Sequence, residues 1–293
     1  MKYEKACVKE HLFRMRLQES RLIENTPSCP KVSIITPSYN QAEFLERTIL
    51  SVLNQGYSNL EYIIIDGGSS DGSLEIIKKY KRYLSYWVSE KDKGQSDALN
   101  KGFAKAIGDI VGWQNSDDIY LPGALKEAVE AFSARPGVDI VFGNAFMVDK
   151  DEKLICELKF TPFSLMTHLY EGMALSNQSC FWKRDLFKKI GMFDTSIQFS
   201  MDYEFFLRAA VMGARFHHVR RSWGAFRLHE KAKTSLLRHV STADHANIVN
   251  KYGMNKRLEP YIKRLSLLRR TGYYAIQGDL RYIVNGLRKK LFT

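Results

Sequence analysis

This 293-residue chain contains no apolar run approaching the ~20 residues that span a bilayer, and its start (Met1-Lys2-Tyr3-Glu4-Lys5) lacks the apolar core of a signal peptide. The expectation is a soluble or peripheral protein of the cytoplasm. The four cysteines, Cys7, Cys29, Cys156 and Cys180, form no Cys-x-x-Cys pair and no dense framework. That argues against a zinc ribbon and suits structural thiols in a reducing compartment. No Gly-x-Gly-x-x-Gly follows either early strand, and no Gly-x-x-x-x-Gly-Lys-Ser/Thr loop exists, so neither a dinucleotide nor a P-loop nucleotide is indicated.

What is present is ample apolar content, 45%, enough for one large domain with appendages or two smaller ones, and a net charge of +12. The charge is uneven. Residues 256–293 hold ten Lys/Arg against Glu259 and Asp279, a balance of +8. Leu280, Ile283, Leu287 and Leu291 recur there at helical spacing. Two readings stand: a basic amphipathic helix lying on an anionic membrane surface, or an ordinary helix packed on the body with its cations in water.

Residues 1–30 predict a helix around Lys9 to Ile23 and a break at Pro27 and Pro30, an N-terminal extension without assigned chemistry. The β-branched run Val32-Ser33-Ile34-Ile35-Thr36 predicts a central strand that Pro37 stops. Leu45, Ile49, Val52 and Leu53 share one helical face between Ala42 and Gln55, and Gly56 ends that helix. A second strand, Glu61 to Asp66, runs into the turn Gly67-Gly68-Ser69-Ser70-Asp71-Gly72-Ser73 and another helix. Strand, loop, helix, repeated, implies right-handed parallel crossovers and a nucleotide-type α/β half. Trp87-Val88-Ser89 predicts a further strand. Lys93 and Gly94 open the next helix, whose amino end favours an anion.

The run Ile110-Val111-Gly112-Trp113 is short, apolar and bounded by polar residues, which predicts a buried strand ending at Asn115-Ser116-Asp117-Asp118. Ligands bind at the carboxyl edge of open α/β sheets, and two adjacent carboxylates repel unless a cation or donors offset them. Mg²⁺ or Mn²⁺ would do so; so would a plain turn before Leu121-Pro122-Gly123. Asp66 likewise reads as a nucleoside-binding carboxylate or as a turn-forming side chain. Beyond it come a helix from Ala124 to Phe132 and a strand from Val138 to Asn144. Lys153 to Lys159 alternates like an antiparallel strand, so the second half of the sheet is expected to be mixed. Asn177 to Trp182 predicts a strand whose polar start could face a hydroxylated substrate. Asp202 opens a helix with Phe205, Phe206 and Ala209 on its buried face, either as a helix cap or as a general base, with Glu204 the lesser choice. Trp223 to His229 alternates like a strand that ends on a histidine.

In this order, Thr36-Pro37-Ser38-Tyr39-Asn40, Ile65-Asp66-Gly67-Gly68-Ser69-Ser70-Asp71-Gly72, Asp97-Ala98-Leu99-Asn100-Lys101-Gly102, Asn115-Ser116-Asp117-Asp118 and Asp202-Tyr203-Glu204 resemble the family 2 glycosyltransferases of the GT-A fold, over residues 31–230. The resemblance implies a Rossmann-like nucleotide-binding half joined to a mixed-sheet acceptor half, followed by a basic helical region over 231–293. It implies an inverting enzyme that moves a sugar from a nucleotide-diphosphate donor, UDP being the expected nucleotide, to an acceptor hydroxyl with Mg²⁺ or Mn²⁺. Thr36, Pro37, Tyr39, Asp66, Asp97, Asn115, Ser116 and Asp118 would then bind donor, Asp117 and His229 the metal, and Asp202 would be the base. Asn115 stands where many relatives carry the first Asp of Asp-x-Asp. The basic tail adds the expectation of a polysaccharide or lipid-linked acceptor at a membrane face.

Two other readings compete. A sugar-phosphate nucleotidyltransferase would carry a glycine-rich loop with a basic residue after the first strand, and Pro37-Ser38-Tyr39-Asn40-Gln41 is not one. A non-catalytic basic module on nucleic acid or membrane is allowed by charge alone. Asp66, Asp117, Asp118 and Asp202 would repel a phosphate backbone, so no nucleic-acid partner is expected.

Overall fold

The computed structural model describes residues 29–236, 238–279 and 282. The helix expected around Lys9 to Ile23 and the amphipathic stripe through Leu280, Ile283, Leu287 and Leu291 lie outside the described residues.

β1 (Val32–Ser38) is flanked by β2 (Leu60–Asp66) and β4 (Ile110–Trp113), and β3 (Tyr86–Ser89) adds outside β2, all parallel. The crossovers are α1 (Ala42–Leu53), α2 (Ser73–Tyr80) and α3 (Gln95–Lys105). Every residue of β1 and β4 is buried, as expected for a sheet covered on both faces. β1 runs past Pro37, which pairs with Ile65, rather than stopping at it. The reason is local: β4 leaves β1 after Ile35, so the missing N–H of Pro37 faces an edge with no ladder to complete.

Beyond β4 the sheet turns mixed, as expected. β5 (Ile119–Tyr120), β6 (Ile140–Asp149), β7 (Leu154–Leu158), β8 (Cys180–Lys183) and β9 (Phe216–Leu228) complete the order β3-β2-β1-β4-β8-β6-β9-β5, with β7 on β6. β8 is antiparallel to β4 and β6, while β9 runs parallel to β6. The strand expected from Asn177 begins only at Cys180; Asn177–Ser179 form a 3₁₀ turn. Gly224 of β9 makes that turn possible, since a Cβ there would meet the Gln178 carbonyl oxygen at 2.0 Å.

α4 (Ala124–Ala134), α5 (Leu165–Glu171), α6 (Leu186–Ile190) and α7 (Met201–Val211) cover the faces. Phe103, Trp113, Trp182, Phe193, Phe205 and Phe206 pack ring against ring between α3, β4, β8 and α7. Phe205 and Phe206 are wholly buried, at roughly 1.5–3 kcal/mol each, so the amino end of α7 is held firmly at the sheet edge. The chain continues through α8 (Lys233–Leu236), α9 (Arg238–Lys251) and α10 (Glu259–Ile276). Ile248 and Val249 of α9 pack on Tyr203 and Leu207 of α7.

Candidate active site

A cleft of about 980 Å³ opens at the carboxyl ends of β1, β2, β3 and β4, walled on its far side by the start of α7 and by Lys231, Ala232, Lys233, Thr234, Ser241 and His245. This is where an open parallel sheet binds ligands. Pro37, Tyr39, Asn115, Ser116, Asp117 and Asp202 all line it. Thr36, Asp66, Asp97, Asp118 and His229 do not appear on its wall, and each has a partner that accounts for its position.

Thr36 is buried, its Oγ1 3.0 Å from the Tyr62 hydroxyl. Asp66 is also buried and accepts hydrogen bonds from Gly68 N, Ser69 N, Ser69 Oγ and Ser89 Oγ at 2.5–3.2 Å. It therefore shapes the β2–α2 turn. Asp97 accepts from Lys93 N at 3.1 Å and lies 3.5 Å from the Lys101 ammonium. The carboxylate that does reach the cleft on this side is Asp92, just past β3. Its Oδ1 accepts from Gly94 N, and Gly67 lies so close that a Cβ would meet Oδ2 at 2.7 Å. Burial pushes the Asp92 carboxyl up. An acid at the carboxyl end of a parallel strand is the same signal that singled out Asp66 and Asp117, so Asp92 was open to detection from sequence.

On the floor, Asn115 Oδ1 accepts from Gln95 Nε2 (2.8 Å) and from Trp113 Nε1 (3.1 Å), while its Nδ2 donates to Asp118 Oδ2 at 2.9 Å. The amide ties the loop to α3, to β4 and to the next acid. Asp118 is buried, taking Arg227 N on Oδ1 and Gln178 Nε2 on Oδ2. Burial and then the neighbouring Asp117 push its carboxyl up. It braces the loop from beneath. Asp117 keeps its carboxylate at the cleft, with Oδ2 3.0 Å from His229 Nε2.

That pair is held by a layer no local pattern announced. Arg227 sends Nε to the Asp117 carbonyl oxygen (2.8 Å), Nη1 to the Lys150 carbonyl oxygen (3.0 Å) and Nη2 to Glu152 (3.0 Å). Glu152, in the β6–β7 turn, also takes a two-pronged bond from Arg47 of α1 at 2.9 and 2.7 Å. The Arg227 guanidinium lies over the Phe44 ring of α1 at 4.9 Å, and the His229 ring packs against the same ring at a tilt of 48°. Thr48 Oγ1 donates to the Asp118 carbonyl oxygen at 2.7 Å.

On the opposite wall Asp202 sits in the first turn of α7, its Oδ1 accepting from Tyr203 N at 2.8 Å. Burial pushes its carboxyl up, against backbone hydrogen bonding and the nearby Lys233. Lys233 donates to Gln95 Oε1 at 2.9 Å, and burial pulls its ammonium down. Glu204 faces away, buried in an ion pair with Arg208 and bonded by the Tyr252 hydroxyl at 2.6 Å. Asp202 is thus the acid of this helix that lines the cleft.

The strand order and the open carboxyl edge are those of a GT-A fold. The profile described as "Glycosyl transferase family 2" matches residues 33–191, and the chain belongs to that family. It is 37% identical over 187 residues to an uncharacterised glycosyltransferase of Mycobacterium tuberculosis, covering 63% of this chain and 71% of that one. Two solved structures share the fold at 19% identity and a TM-score of 0.60. One is S. aureus TarS 1–349 in complex with UDP-GlcNAc, where the match covers 79% of this chain and 70% of that one. The other is the mannosyltransferase PcManGT of Pyrobaculum calidifontis in complex with GDP-Man and Mn²⁺, at 88% and 76%.

Proposed function

We propose that this glycosyltransferase inverts configuration, moving a sugar from a nucleotide diphosphate to an acceptor hydroxyl, with Asp202 as the general base. The observation that carries this reading is the placement of two separately held carboxylates on one cleft: Asp117 beside His229 on the sheet edge, and Asp202 with a raised carboxyl on α7. A single displacement needs one base on the acceptor side and charge neutralisation on the leaving-group side. The acceptor oxygen attacks the anomeric carbon as its proton passes to Asp202, and the bond from that carbon to the nucleotide diphosphate breaks on the opposite face.

The donor set suits a hard divalent cation. Among the described residues no three His, Cys, Asp or Glu side chains converge on one point, so the chain offers Asp117 and His229 and leaves the remaining positions to diphosphate and water. Mg²⁺ or Mn²⁺ held there would supply positive charge for the departing diphosphate. That PcManGT is in complex with GDP-Man and Mn²⁺ is in keeping with a metal-dependent transfer. Lys233, desolvated between Gln95 and Asp202, adds a fixed positive charge to the same cleft.

For the nucleoside, the wall formed by Tyr39, Gly67, Gly68 and Asp92 offers a phenol, close backbone and a carboxylate that can accept a base N–H. The prepositioned Asp66 keeps that turn in shape. The proposed nucleotide is UDP, with a glycan or lipid-linked acceptor. The test is a screen of UDP-, GDP- and dTDP-sugars with Mn²⁺, Mg²⁺ or EDTA, read by nucleotide release and by melting temperature. One donor stabilising the protein by several degrees only with metal is the expected result, since a ligand at 100 times its Kd adds about 2.7 kcal/mol. No stabilisation by any donor would overturn the reading.

A further inference from the structure

α10 touches the body along one face. Ser266 and Tyr274 are buried there, Tyr274 donating to the Lys159 carbonyl oxygen at 2.8 Å, and Arg270 pairs with Glu171 at 2.6 Å. The opposite face is apolar and open to solvent. Leu258 is 48% exposed, Tyr261 71%, Leu265 65%, Leu268 62% and Ile276 84%. Steps of three, four, three and eight residues put all five on one helical stripe, and the position between the last two is Gly272. Arg257 and Arg264 flank it. The helix carries one carboxylate, Glu259, which is turned from the stripe and paired with Lys263 at 2.6 Å.

We propose that α10 docks, apolar stripe inward, in the headgroup layer of an anionic lipid bilayer. An apolar face bordered by cations and free of carboxylates is complementary to acyl chains below and anionic headgroups around it. No described helix is long and apolar enough to cross a membrane, so α10 lies on the surface. A second copy of this chain is the poorer occupant. A homotypic pair along the stripe would set Arg257 and Arg264 among like charges with no acid to answer them, whereas helix pairs use opposite charges at those flanks. Along the sequence the charge agrees, with +8 of the chain's +12 within residues 256–293. The inference goes beyond the transferase reading and is independent of which donor the cleft takes.

The test is flotation of the full chain with vesicles of phosphatidylcholine, alone or mixed with phosphatidylglycerol. The parent is expected to float with the mixed vesicles, less at high salt and little with phosphatidylcholine alone. Leu265→Glu with Leu268→Glu should lower the partition about tenfold or more at unchanged melting temperature, because both side chains already face water. Arg257→Ala with Arg264→Ala should remove the preference for the anionic lipid. The proposal is overturned if the parent stays at the bottom of the gradient, or if the double Glu variant floats as the parent does. It is equally overturned if that variant melts well below the parent, which would mean the stripe is packed within the chain. Light scattering that shows a parent dimer dissociated by the same variant, without vesicle binding, would assign the stripe to a second copy.

Discussion

A general base works best when its pKa lies near the operating pH, and burial moves the Asp202 carboxyl in that direction. Asp202→Asn is therefore expected to lower kcat about 10²–10⁴-fold while donor affinity is retained. The sign of the pKa shift gives a second readout. With the folded carboxyl raised, the native state holds its proton more tightly than the unfolded chain, so this group's contribution falls as pH rises from the unfolded to the folded value. Removing the charge should leave Asp202→Asn at least as stable as the parent at neutral pH, and the parent's acid limb of kcat should lie above the ordinary carboxylate range. A variant that melts lower, or a limb in the ordinary range, would speak against the base. Asp117→Ala has a different expected signature: loss of metal-dependent donor binding by calorimetry, with metal-independent nucleotide binding left in place. At this scale the strand-end rule read from sequence located Asp117, but whether a strand-end acid faces ligand or its own turn depends on partners elsewhere. Asp66 is enclosed by Ser69 and Ser89, whereas Asp92 one strand over is left facing the cleft.

The loop after β4 is held from three sides: by α1 through Phe44, Arg47 and Thr48, by the β6–β7 turn through Glu152, and by β9 through Arg227. Truncating Glu152 to Ala would leave the buried Arg227 guanidinium without its carboxylate, a loss of about 3–5 kcal/mol for a buried pair. Some compensation is expected, because Arg227 keeps two carbonyl partners. The expected outcome is a melting temperature several degrees lower together with weaker donor binding, as the Asp117 and Asp118 backbone loses its clamp; a parent-like melting curve would show that the clamp is idle. None of this was readable as local pattern, since Arg47 and Glu152 are 105 residues apart and meet only through the sheet order. The same holds for β9. Trp223 to His229 alternates and was expected as a strand, but Phe216 to Ser222 is rich in His and Arg and is extended only because β6 pairs with it across a register shift. The parallel first half, by contrast, could be read element by element, because each buried strand is a continuous apolar run and each crossover helix has one apolar face.

The family resemblance ends at residue 230, yet the folded molecule uses the following helices to finish the cleft. Lys233, Ser241 and His245 line it, and Asp244 of α9 accepts from Phe199 N (2.8 Å) and Ser200 N (3.3 Å), the two residues before α7. The two residues that lead into α7 and Asp202 are thus bound by a carboxylate from outside the family match at 33–191. A positioning role makes a prediction that a purely structural one does not. If Asp244 aims the base, Asp244→Ala should lower kcat while leaving donor affinity near that of the parent, because the donor's wall on β1 to β4 is untouched. A misplacement near 1 Å can cost about 10²-fold in rate. Asp244→Asn keeps an oxygen acceptor for at least one of the two N–H groups and should recover part of the loss. Equal decreases in kcat and donor affinity for both variants would instead mean that α9 supports the whole cleft. That pattern would place the catalytic unit's boundary beyond residue 251, with the α7–α9 contact through Tyr203, Leu207, Ile248 and Val249 acting as core.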